Sequence, residues 1–145
     1  MVLTEDGRVL TFGKGQFGLL GHGDEQRQLV PKVVDALQGV RVCQVAAGGS
    51  HSVVVAEDGR VLTFGWGSSG QLGHGDQQDQ LVPKVVGALQ GARVCQVAAG
   101  MMHSMVLAED GRVLTFGAGR YGRLGHGDQQ LQVVPRVVDL SLIHI

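Results

Sequence analysis

The chain lacks an excess of charge of either sign, a long apolar run, and more than a pair of cysteines. Each absence removes a class of function. Lys and Arg number 12 against 13 Asp and Glu, giving a formal charge of −1. These charges are scattered singly. A surface that tracks phosphates needs clustered positive charge to displace counterions, so a nucleic-acid partner is not expected. No apolar stretch approaches ~18 residues, so no membrane-spanning helix is expected. The opening residues lack the basic and then apolar regions of a secretory signal. Cys43 and Cys95 are the only cysteines, too few for a disulfide scaffold and without zinc-ligand spacing. A reducing, intracellular setting is the expectation. What the chain does have is glycine, at 24 of 145 positions, about twice the usual share. It also has 43% hydrophobic residues, enough to bury a core. The length suits one domain or part of one.

Internal repetition supplies the organisation. The run from Glu5 through Gly13 recurs unchanged from Glu57 and again from Glu109. Leu20-Gly21-His22-Gly23-Asp24 recurs from Leu72 and Leu124, and Pro31 returns as Pro83 and Pro135. The segment from Arg41 through Gly48 returns as Arg93 through Gly100. No insertion interrupts this 52-residue register, so the chain holds a little under three copies of one unit. The units are taken as approximately 1–48, 49–100 and 101–139. Met1 aligns with Val53 and Met105, inside a strand, which suggests a piece of a longer protein. The final Leu140-Ser141-Leu142-Ile143-His144-Ile145 breaks the repeat and resembles a translated sequencing adapter. It is set aside as a non-native tail.

Each unit reads as short strands and tight turns. Residues 52–56 and 61–64 are rich in β-formers and flank Glu57-Asp58-Gly59-Arg60. Asp-Gly between such runs predicts a hairpin closed by a type I′ turn. Residues 42–45 form another strand, with Val42 and Gln44 expected on one face and Cys43 and Val45 on the other. A fourth strand runs from Leu29 to Val34. Its Pro31 lacks a ladder donor, which predicts a sheet edge. The unbroken Val53-Val54-Val55 suggests a strand buried on both faces. The only helical candidate is one turn at 35–38, ended by Gly39. Four short strands per repeat predict an all-β chain: a β-propeller of four-stranded antiparallel blades, present as an incomplete arc of just under three blades.

The residues that carry the pattern resemble a known family. The run Glu57 through Gly65 followed by Gly70-Gln71-Leu72-Gly73, and Val97-Ala98-Ala99-Gly100 followed by His103-Ser104, resemble the repeat of the regulator of chromosome condensation. Gly122-Arg123-Leu124-Gly125-His126-Gly127-Asp128 is similar to the version carried by giant ubiquitin ligases. The resemblance implies a seven-bladed propeller. It departs from the family in having Phe12, Phe64 and Phe116 where Trp is frequent, and Met101-Met102 where Gly49-Ser50 predicts Gly-Ser. The implied function is a protein-interaction or scaffold module within a larger protein, with ubiquitin ligases as one class. The alternative is guanine-nucleotide exchange on a small GTPase. The implied partner is a protein, either a small GTPase or a ubiquitination substrate. Exchange needs a wedge that expels nucleotide, and none stands out in these copies. Light-sensing relatives use clustered tryptophans, and Trp66 stands alone here.

No catalytic constellation emerges. Gly13, Gly15 and Gly18 satisfy G-x-G-x-x-G, as do Gly65, Gly67, Gly70 and Gly117, Gly119, Gly122. A dinucleotide site needs a helix N-terminus behind them, whereas Leu-Gly-His-Gly-Asp follows, so structural turns are expected. His22, His74 and His126 invite a zinc reading, but copies of one position lie far apart. Hydrogen bonding within each loop is expected instead. His51 and His103 are expected to be buried and bonded to backbone carbonyls. Cys43 and Cys95 have no activating neighbour and are expected to be free core thiols. The Glu-Asp pairs at 5–6, 57–58 and 109–110 serve hairpin tips. The chain is therefore read as non-enzymatic, without cofactor or metal.

Function is expected where the copies differ. Between 5–38 and 57–90 seven positions change. Four lie in the glycine loop, where Lys14, Gln16, Phe17 and Leu19 become Trp66, Ser68, Ser69 and Gln71. The third copy has Ala118, Arg120, Tyr121 and Arg123 there. Trp, Tyr and Arg dominate interface hot spots. Lys14, Phe17, Trp66, Arg120, Tyr121 and Arg123 are the candidate partner-binding residues. The plainer possibility is that Phe17 and Tyr121 merely pack their loops. Blades left uncovered at the ends of the arc are expected to self-associate.

Overall fold

The computed structural model describes residues 1–140. The expected tail lies, apart from Leu140, outside the described residues. Eleven strands form three antiparallel sheets. The first contains β1 (Val2–Leu3), β2 (Val9–Gly13) and β3 (Gln28–Val33). The second contains β4 (Val42–Ala47), β5 (His51–Ala56), β6 (Val61–Gly65) and β7 (Gln80–Val85). The third contains β8 (Val94–Ala99), β9 (His103–Ala108), β10 (Val113–Gly117) and β11 (Gln132–Val137). Strands within a sheet follow in sequence order, which is the plan of a propeller blade. The first sheet is one strand short.

The proline-bearing strands β3, β7 and β11 lie at sheet edges, as expected. Pairing breaks register beside Pro83, between Thr63↔Lys84 and Gly65↔Gln80, where a missing donor is harmless. The Asp-Gly hairpins differ from expectation. Gly59 N–H donates to Ala56 C=O and Ala56 N–H to Arg60 C=O, so the loop has three residues. Gly59 has φ +88°, whereas Asp58 is not in the left-handed region. This is a turn ending in a glycine bulge rather than a type I′ turn, and the extra residue gives the strands their twist. Asp58 accepts hydrogen bonds there from Arg60 N–H and Nε.

Strand β4 also corrects an expectation. Its register skips between Val42↔Ala56 and Gln44↔Val55, leaving Cys43 as a bulge. Alternation is therefore broken, and Val42 and Val45 both pack toward the first sheet. Cys43 and Cys95 are exposed rather than buried. Short 3₁₀ turns occur at Asp35–Leu37 and Gly87–Leu89, and also within two glycine loops at Gln16–Gly18 and Arg120–Gly122, where none was expected.

Two cores lie between the three sheets. Val54, Leu62 and Phe64 of the second sheet meet Val9, Val34 and Leu37 associated with the first. On the other face, Val53, Val55 and Val61 meet Val94, Val106, Leu114 and Phe116 of the third. Strand β5 thus contributes to both cores, and Val53, Val54 and Val55 are each 0% exposed. Burial on both faces is what the uninterrupted valine run requires. Among the described residues, no helix is long and apolar enough to cross a membrane.

Candidate interaction face

The glycine loops 13–27, 65–79 and 117–131 emerge from the C-terminal ends of β2, β6 and β10, so all three lie on one face of the arc. A threonine anchors each. Thr63 Oγ1 donates to Leu72 C=O at 2.7 Å and lies 2.8 Å from His74 Nε2. Thr11 with His22, and Thr115 with His126, repeat the arrangement. The threonine proton is committed to the carbonyl, so the histidine must be the Nε2–H tautomer and donate. Burial disfavours the imidazolium, and a neighbouring Lys or Arg adds to this. Both effects push the pKa of His22 and His126 down and that of His74 down to about 4. These histidines serve the loop, as expected from their spacing.

His51 reaches a side chain of the next sheet as well as the backbone at His103. His51 Nε2 lies 2.8 Å from Ser104 Oγ of the third sheet, and Ser104 Oγ donates to Gln71 C=O at 2.8 Å. This relay ties the middle sheet to its neighbour, and burial pushes the His51 pKa down to about 4. Ser52 makes the equivalent bond to Leu19 C=O. Gln44 Oε1 adds another sheet-to-sheet bond by accepting Val97 N–H at 3.0 Å. Gln71 belongs to the family run Gly70–Gly73 and differs from Leu19 of the first copy. It is 0% exposed, and its side chain caps Ser69 N–H at 2.8 Å. The recurrence of Ser52 as Ser104 was the available signal for these latches, but a partner 53 residues away is not visible in a repeat unit.

Two groups form among the six candidate residues. Phe17 of the first loop stacks on Trp66 of the second, with centroids 5.4 Å apart and planes 24° apart. In the third loop the guanidinium carbons of Arg120 and Arg123 lie 5.7 and 5.9 Å from the Tyr121 ring centroid. The Tyr121 side of the loop is open, and the residue is 82% exposed. Lys14 is exposed and stands outside both ring contacts. Phe17 and Tyr121 have φ of 60° and 63°, the only non-glycine residues in that region among those described. Each is held by a side chain across the loop. Glu25 Oε1 accepts Phe17 N–H at 2.8 Å, and Gln129 Oε1 accepts Tyr121 N–H at 3.1 Å. Left-handed backbone at an aromatic residue costs about 1–3 kcal/mol. It persists here because these bonds fix the loop.

The chemistry available is recognition. Among the described residues no group of three or more His, Cys, Asp or Glu side chains is placed to hold a metal ion. A hollow of about 180 Å³ at the opposite, hairpin end is lined by Val61, Val86, Leu89 and Ala92 beneath Asp58 and Arg93, and it joins no nucleophile to a base. The fold and this face together define an arc of a β-propeller that presents variable loops on a repeated frame. The chain belongs to the regulator of chromosome condensation (RCC1) repeat family, whose repeat matches residues 6–55, 58–107 and 110–142.

Among relatives, the ultraviolet-B receptor UVR8 of Arabidopsis thaliana is 39% identical over 139 residues, covering 96% of this chain and 32% of the receptor. The E3 ubiquitin-protein ligase HERC2 of Homo sapiens is 41% identical over 141 residues, covering 96% of this chain and 3% of the ligase. The crystal structure of human WBSCR16 superposes with a TM-score of 0.86 at 30% identity, covering 97% of this chain and 35% of that one. Prp20p of Saccharomyces cerevisiae, at 24% identity and a TM-score of 0.83 over 94% of this chain and 35% of its own, shares the fold. The chain therefore spans about a third or less of these proteins. The region it shares with the ligases is the non-catalytic propeller repeat.

Proposed function

We propose that the glycine-loop face is a protein-binding surface, and that the chain serves as an interaction or scaffold module of a larger intracellular protein, of which ubiquitin ligases are one class. The observation that carries this reading is Tyr121. The residue is 82% exposed on a strained, side-chain-braced backbone, with two guanidinium groups 5.7 and 5.9 Å from its ring centroid. Phe17, on the same backbone conformation, is covered by Trp66 of the next loop, whereas no described loop covers Tyr121. An amphipathic ring with flanking Arg suits a partner patch that offers carboxylates around an apolar pocket. The Phe17–Trp66 pair and Lys14 extend the same face.

The test uses the intact protein and measures affinity for partners captured by it. Tyr121→Ala and Arg120→Ala are expected to weaken binding by about 1–3 kcal/mol each, and Trp66→Ala by a similar amount. Unchanged affinity for all three would refute the assignment. Prp20p is described by its binding to Gsp1p and histones. A nucleotide-release assay with a panel of small GTPases separates guanine-nucleotide exchange from passive binding. Release accelerated by this chain would replace the scaffold reading.

A further inference from the structure

Residues 28–48 and 80–100 differ at two positions, where Asp35 becomes Gly87 and Val40 becomes Ala92. The second change removes two methyl groups from the segment that passes beside the Asp-Gly hairpin. Both positions follow the same edge strand and 3₁₀ turn, so the difference is one of residue size. Val40 packs against the core between the first and second sheets. At Ala92 the equivalent place is the hollow of about 180 Å³. Its floor is Val61, Val86 and Leu89, which are 1%, 1% and 3% exposed.

The backbone records the same difference. Val42 N–H donates to Gly7 C=O at 3.1 Å, whereas Val94 N–H and Gly59 C=O stand 3.5 Å apart. A Cβ on Gly7 would come within 2.5 Å of Arg41 Cγ, and one on Gly59 within 2.9 Å of Arg93 Cγ. The hairpin and the segment beside it thus stand further apart where the side chain is smaller. The surroundings have not collapsed onto Ala92, and the lining forgoes dispersion contacts that a guest would restore.

The mouth of the hollow is charged but balanced. Asp58 pairs with Arg60 at 2.8 Å, and Arg93 pairs with Glu109 at 3.2 Å. An ion entering would lose its water and find no unmatched charge. The side chains of the floor offer only carbon. A cavity of about 150 Å³ lined by such side chains stays dry and takes up benzene.

We infer that the hollow between the Asp58-Gly59 hairpin and Ala92 binds a small, neutral, apolar molecule of roughly the size of one aromatic ring. The floor is almost fully enclosed, which favours a free molecule over a partner's side chain. A side chain carries its backbone with it, and that backbone would have to displace the two ion pairs. The site lies at the hairpin end of the sheets and does not rest on the role proposed for the glycine loops.

The full chain, labelled with nitrogen-15, is titrated with toluene and followed through its amide resonances. Saturable shifts are expected at Gly59, Gly91 and Ala92, and none at their counterparts Gly7, Gly39 and Val40. Ala92→Val, which installs the residue of the first copy, should weaken binding by roughly tenfold or more. Val40→Ala should create a second set of saturable shifts at Gly7 and Gly39. Benzoate and benzylammonium should each bind more weakly than toluene by about fivefold or more. If Ala92→Val loses the wild-type spectrum away from the site, Val40→Ala and the charged probes decide. No saturable shift at Gly59 and Ala92, equal affinity in wild type and a folded Ala92→Val chain, no second set in Val40→Ala, or either ion binding as tightly as toluene would each overturn the inference. N-acetyl-leucinamide binding more tightly than toluene would overturn it in favour of a partner's side chain.

Discussion

The second and third sheets have nearly the same sequence and different surroundings. Val53 and Val55 of β5 are 0% exposed in the core between them. The residues 52 positions later, Met105 and Leu107 of β9, face where a further sheet would lie, and Met105 is 39% exposed. Phe64 is 0% exposed beneath the first glycine loop, and its counterpart Phe12, with no loop over it, is 43% exposed. One repeat thus gives a core strand or a surface strand depending on its neighbour. The lesson is that the stability of this fold resides between units more than within them.

Equivalent substitutions sharpen that contrast. Phe64→Ala removes a fully buried ring and is expected to cost about 3–5 kcal/mol, whereas Phe12→Ala should cost about 1 kcal/mol in dilute protein. Equal costs in chemical denaturation would break the comparison. Gly70→Ala places a methyl against the backbone of Gln132 and Val133, while Gly122→Ala meets nothing. Both pay the left-handed backbone penalty, so the former should be the more destabilising by about 2 kcal/mol, read from melting curves. Ser104→Ala breaks two bonds and strands a buried His51. It should cost about 1–3 kcal/mol, against about 1 kcal/mol for Ser52→Ala.

Smaller effects follow from pH and from the hairpins. Burial holds His51 and His74 near a pKa of about 4 against an ordinary 6.5. The unfolded chain takes up these protons first as pH falls. The contribution to stability is therefore complete above 6.5 and is lost progressively towards 4. Denaturant midpoints across that window should fall with pH, and a flat profile would contradict the burial. In NMR titrations His74 should lie below His126, whose loop is uncovered. Arg60→Ala removes an exposed pair with Asp58 and should change stability by less than about 0.5 kcal/mol.

Much of this architecture was legible in the sequence because it depends on side-chain type at fixed spacing. The 52-residue register, the Asp-Gly hairpins, the edge position of Pro31 and the two-sided burial of Val53–Val55 all belong to that class. The bulge at Cys43 was not legible, because it is a backbone pairing choice that no residue type announces. It turned a thiol expected in the core out to solvent. The bond from His51 to Ser104 and the burial of Gln71 depend on how one repeat meets the next, which a single unit does not encode. For the proposed face, residue identity located the loops that vary between copies. The left-handed backbone at Phe17 and Tyr121 came only from the coordinates.

Amide hydrogen exchange in dilute protein tests most directly whether sheets are stabilised by leaning on their neighbours. Slowest exchange is expected at Val53–Val55 in β5, with faster exchange at the matching positions 105–107 in β9 and fastest in β1. Equal protection of β5 and β9 would mean that each unit holds itself together, and would contradict the account.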